Sequence, residues 1–127
     1  MKLRSFRNFP ATRLALSLPL LALFLAVPPA FAHAHPVDMM PKANSTVAAP
    51  ANILVHFSEE MEPKLSKMTL VDAAGKTVSK QPSVVGDAKT MTLPLPSLTP
   101  GVYTVKWVTV AADDGHRLEG NYKFTVK

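Results

Sequence analysis

Residues 101–126 read GVYTVKWVTVAADDGHRLEGNYKFTV. From Val102 to Ala111 the side chains alternate, with Tyr103, Val105 and Trp107 on one face. From Gly120 to Val126 they alternate again, with Tyr122, Phe124 and Val126 opposite Lys123, Thr125 and Lys127. A period of two is the mark of a β-strand with one face buried. Between the two runs stands Asp113-Asp114-Gly115, and Asp-Gly is a strong hairpin-turn pair. Two strands with an apolar face each need a second layer to cover them.

Working outward, that layer is supplied by shorter runs. Asn52 to Phe57 places Ile53, Val55 and Phe57 on one face, and Ser66 to Asp72 is a second run closed by the turn Ala73-Ala74-Gly75-Lys76. A hairpin partner is expected over Thr77 to Lys80. Thr90 to Leu95 is a further strand, expected at a sheet edge because Pro94 and Pro96 lack the amide that a ladder needs. Helical periodicity is absent from His33 onward, although Ser58 to Lys67 leaves room for a short turn of helix. About seven short strands at spacings of eight to twelve residues indicate an all-β domain, an antiparallel sandwich or Greek-key β-barrel. Trp107 and the tyrosines are read as core aromatics.

The chain has 127 residues, 47% hydrophobic and 18% charged, a balance that suits one globular domain. Its formal charge of +5 would suggest an anionic partner. Four of the fourteen basic side chains, however, are Lys2, Arg4, Arg7 and Arg13; from His33 onward ten basic groups face nine acidic ones, a net +1. A nucleic-acid partner loses its main support, and none is expected.

The basic start, the apolar run from Leu14 to Val27 and Ala30-Phe31-Ala32 form the three parts of a secretory signal. We assign residues 1–32 to a signal peptide cleaved after Ala32, and residues 33–127 to one exported domain, not membrane-embedded once processed. A retained anchor is the alternative, but about fourteen apolar residues interrupted by Pro19 fall short of the roughly twenty that span a bilayer. The chain has no cysteine, which excludes thiolate metal sites and cysteine catalysis. Any metal must be held by nitrogen, oxygen or thioether.

Four histidines remain. Cleavage after Ala32 would make His33 the first residue and His35 the third, while His116 follows the Asp-Gly turn; His56 reads as a solvent-facing strand residue. Singly, each has a plain reading as a junction, turn or surface residue. Together they suggest copper. An α-amine with a reference pKa near 8 yields its proton to a metal readily, and the imidazole Nδ1 of the same residue closes a chelate ring with it. A second imidazole opposite completes a T-shaped set of three nitrogens suited to tetragonal Cu(II). His116 can be that partner, and Asp114 can add a carboxylate. A rival mode uses the free amine, two deprotonated backbone amides and the His35 imidazole, as in short peptides with histidine at position three.

At this point the chain resembles the CopC-type periplasmic copper-binding proteins. The resemblance rests on the signal ending just before His33-Ala34-His35, on Phe57-Ser58-Glu59, Tyr103-x-Val105-x-Trp107 and Asp114-Gly115-His116, and on the closing Gly120-x-Tyr122-x-Phe124-x-Val126. It implies an Ig-like sandwich or Greek-key barrel, a periplasmic location, and Cu(II) held by His33, Asp114 and His116, with Glu59 as a further candidate ligand. A role in copper homeostasis, resistance or delivery follows, with copper as the ligand and an inner-membrane copper transporter as a candidate partner. Some members carry a second, Cu(I) site of methionines and a histidine in a central loop. Here the corresponding stretch, Lys80 to Thr92, holds only Met91 and no histidine, so a Cu(II)-only protein is expected. Met39, Met40 and Met61 read as packing residues. The chain is not expected to be an enzyme. The alternatives are a copper-dependent oxygenase, which would need exposed aromatics on a broad face, and an Ig-like interaction module without metal.

Overall fold

Strict alternation along the last two runs produces the longest pair of strands. In the computed structural model, which describes residues 34–127, β1 is Pro36–Met40, β2 Thr46–Val47, β3 Asn52–Phe57 and β4 Lys67–Val71. They are followed by β5 (Val84–Val85), β6 (Thr90–Pro94), β7 (Gly101–Val110) and β8 (Arg117–Val126). Two four-stranded sheets result, ordered β1-β3-β6-β5 and β2-β8-β7-β4. The architecture is an open all-β sandwich of two separate sheets rather than a closed barrel. The signal peptide assigned to residues 1–32 and the residue His33 lie outside the described residues. Among the described residues no helix is long and apolar enough to cross a membrane.

The inner faces are those the alternation selects. Ile53, Val55 and Phe57 of β3 meet Tyr103, Val105 and Trp107 of β7 and Tyr122, Phe124 and Val126 of β8 in one buried cluster. Full burial of side chains such as Phe57 and Phe124 contributes about 1.5–3 kcal/mol each. The Phe57 and Trp107 rings meet edge to face at 5.5 Å, and Tyr103 stacks on Phe124 at 5.9 Å. Burial pushes the Tyr122 phenol above the ordinary tyrosine range, and its hydroxyl has no hydrogen-bond partner among the described residues.

Gly120 stands directly opposite Trp107 in the β7–β8 register, and the indole occupies the space a side chain would take. A Cβ there would lie 2.9 Å from Cε2 of the indole and closer still to Cζ2. Gly120→Ala therefore forces the ring to move, with an expected loss of about 1–3 kcal/mol. Thermal unfolding checks this; an unchanged midpoint would mean that the indole repacks without cost.

Two expectations are corrected, and the room left for a short turn of helix is taken by a single turn. β6 is an inner strand between β3 and β5, not an edge. Its Pro94 is tolerated because β5 spans only two residues, pairing with Thr92 and Met91, and never reaches the proline. Residues 77–80 do not form a strand. Thr77 makes one bridge to Val71, and Val78 N donates to Leu70 O at 2.9 Å. Beyond that, the Ser79 and Ser83 hydroxyls accept from the Leu70 and Met68 amides and cap the edge of β4 in place of a partner strand. Between Ser58 and Lys67 there is one isolated turn, in which Leu65 N and Ser66 N both donate to Glu62 O, and no helix. β1, β2 and β5 were not anticipated.

Candidate metal centre

Three segments converge at one end of the sandwich. The first is the arm preceding β1. Ala34 is only 2% exposed and belongs to the core cluster, and its carbonyl accepts from Thr109 Oγ1 at 3.2 Å. Thr109 is itself fully buried, at the inward end of β7. The next residue is tied to Ser58 three times. His35 N donates to Ser58 Oγ at 3.2 Å, Ser58 N donates to His35 O at 2.9 Å, and Ser58 Oγ is 3.1 Å from His35 Nδ1.

The second segment, 58–62, leaves β3 and is stitched to the β7–β8 connection. Met61 bridges Ala111, Ala112 N donates to Glu60 O at 3.0 Å, and Glu62 N donates to Val110 O at 2.7 Å. Ser58, Glu59 and Glu60 line a cleft of about 410 Å³ together with Lys89, Ala112 and Asp113. Lys89 Nζ donates to Ser58 O at 3.5 Å. Within this segment Glu59 Oε2 is buried and has no hydrogen-bond partner among the described residues.

The third segment is the connection 111–116. Gly115, at φ 70°, takes the left-handed conformation that its missing Cβ allows, as the Asp-Gly reading required. Ala111 N donates to His116 O at 2.9 Å, which closes the loop, and His116 N donates to Asp114 Oδ1 at 2.8 Å. Asp114 and His116 are both exposed.

Asp114 and His116 are thus brought together in one loop, and the Glu59 segment is laced to the base of that loop. Among the described residues no three histidines, aspartates or glutamates form a cluster able to hold a metal ion. His33, the first of the ligands expected from the sequence, is joined to the anchored Ala34 and lies outside the described residues. His56 faces outward from β3, half-buried, with Nδ1 3.0 Å from Thr90 Oγ1 on the neighbouring strand. Met61, Met68 and Met91 are core residues, and Met39 packs against the core. Met40 is exposed. Ser58 and Thr109 escaped the reading of the sequence as positioning groups. Thr109 carried a signal, being a polar residue at the next inward position after Tyr103, Val105 and Trp107.

Residues 36–127 match the model of the CopC domain. The chain belongs to the CopC family. Copper resistance protein C of Pseudomonas syringae pv. tomato is 39% identical to it over 108 residues, covering 77% of this chain and 85% of that protein. Protein YobA of Escherichia coli K12 is 37% identical over 121 residues, with 92% and 97% covered. Among solved structures, CopC from Methylosinus trichosporium OB3b superposes with a TM-score of 0.70 at 35% identity, over 75% of this chain and 94% of that one. PcoC, a methionine-rich copper resistance protein from Escherichia coli, gives 0.57 at 34% identity, over 75% and 99%. The CopC fold accounts for the sandwich.

Proposed function

We propose that this CopC-family chain is a periplasmic copper-binding protein that holds one Cu(II) at the end of the sandwich and serves copper homeostasis, resistance or delivery. The leader exports it, cleavage after Ala32 frees the His33 amine, and the amine and Nδ1 of His33 bind the ion opposite the His116 imidazole. Asp114 and Glu59 supply carboxylate oxygens. An inner-membrane copper transporter is the candidate partner that receives or supplies the ion.

The observation that carries this reading is the buried Oε2 of Glu59, which has no hydrogen-bond partner among the described residues. A buried acceptor without a partner costs about 1–3 kcal/mol, and more when charged, a cost that a bound cation removes. Nitrogen and carboxylate donors suit Cu(II), and Met61, Met68 and Met91 are buried in the core. The proposed role is binding rather than catalysis. Every aromatic among the described residues is buried, which leaves no exposed aromatic face for a polymeric substrate.

Competition titration of the processed protein, beginning at His33, tests the ligand set. His116→Ala is expected to weaken Cu(II) binding by roughly a hundredfold and His35→Ala by less than about tenfold, with Asp114→Ala between them. The reverse ranking would move the ion to the amide mode of the first three residues and take the fold out of the explanation.

A further inference from the structure

The first three residues of the processed chain hold the makings of two different copper sites, and one serine lies between them. In the amide mode, Cu(II) takes the terminal amine, the backbone nitrogens of Ala34 and His35, and an imidazole nitrogen of His35. Each backbone nitrogen gives up its proton to solvent as its bond to the metal forms. In the folded domain two of the atoms this mode needs, the amide nitrogen and Nδ1 of His35, are already engaged. His35 N donates to Ser58 Oγ at 3.2 Å, and the same oxygen is 3.1 Å from His35 Nδ1. One hydroxyl can satisfy both contacts: it accepts from the amide, and its bond with Nδ1 runs in the direction the imidazole tautomer sets. The His35 carbonyl is held by Ser58 N at 2.9 Å, and one residue earlier the buried Thr109 holds the Ala34 carbonyl at 3.2 Å.

We propose that Ser58 determines the coordination mode of this protein: by engaging the amide nitrogen and Nδ1 of His35, it closes the amide mode and leaves the ion to the site built by the fold. This inference rests on the ligand set proposed above. Ser58 acts through His35 and is a positioning residue, not a ligand. To enter the amide mode the chain must break two Ser58 side-chain bonds and peel a buried Ala34 out of the core. Without the hydroxyl, the bonds from Ser58 to the His35 amide and ring are gone before copper arrives.

The test uses Ser58→Ala and Ser58→Thr in the processed protein, each checked for an unchanged metal-free fold by thermal unfolding and far-UV circular dichroism. In the parent, Cu(II) should show the electron paramagnetic resonance and visible absorption of three nitrogens and an oxygen, and His116→Ala should weaken binding roughly a hundredfold. In Ser58→Ala the visible band should move to shorter wavelength, as four strong nitrogen donors require. His116→Ala added to that background should then cost less than about threefold, so that the two substitutions are strongly coupled. Ser58→Thr, which keeps the hydroxyl, should restore the parent spectrum. Adding His35→Ala to Ser58→Ala should abolish the four-nitrogen spectrum, because the imidazole that completes it is gone. A Ser58→Ala protein with the parent spectrum and full dependence on His116 would overturn the role of Ser58 and leave the ligand set standing. A parent that already shows the four-nitrogen spectrum, indifferent to His116, would overturn the ligand set itself.

Discussion

Processed protein beginning at His33 is expected to bind Cu(II) at least about a hundredfold more tightly than the same chain carrying one extra methionine before His33, a difference of ~2.8 kcal/mol. The reason lies in the α-amine. With a residue in front of it, the His33 nitrogen is an amide whose lone pair is delocalised into a carbonyl, and the nearest free amine is displaced from the imidazole, so the chelate ring does not close. Ala34, plugged into the core with Thr109 on its carbonyl, holds the arm in the same place in both proteins. Both should therefore fold alike and melt at the same temperature without metal. Titrating each against one chelator measures the difference, and equal affinities would show that the amine is not a ligand. The uncleaved precursor should behave like the extended protein, so that tight binding begins only after export.

The largest loss of stability is expected from Phe57→Ala. Phe57 is fully buried, packs edge-on against Trp107 and ends the strand from which Ser58 and Glu59 depart. Removing a phenyl ring from such a position costs about 3–5 kcal/mol, the lost transfer energy plus the cavity left behind. For a domain of this size each kcal/mol lowers the melting temperature by about 4–8 °C. A fall well above 10 °C is expected in a thermal melt, and a shift of only a few degrees would mean that the neighbours collapse into the space. Copper affinity should fall as well, because Ser58 and Glu59 follow directly and Lys89 O accepts from Phe57 N at 2.8 Å beside the same cleft.

The sandwich was legible in the chain itself, because a half-buried strand must alternate. Asn52–Phe57 and the two long runs around Asp114-Gly115 each announce their inner face by alternation alone. Their order was not legible. Pro94 pointed to an edge, yet β6 is internal, because whether a missing amide matters depends on how far the neighbouring strand extends, and β5 stops short. The two-residue strands β2 and β5 carry no periodicity to read.

The candidate site divides the same way. Its donor types and their separation from the leader follow from the order of residues: a histidine after a small-x-small junction, and Asp-Gly-His in a hairpin turn. That Glu59 carries a buried oxygen with no partner among the described residues, that Thr109 reaches across 75 positions to Ala34, and that Ser58 grips His35 were decided only by folding. Local chemistry chooses turns and donor atoms within a few residues. Which distant hydroxyl meets which carbonyl depends on the register of β7 against β8 and on where the chain leaves β3, and only the packing of one sheet on the other determines both.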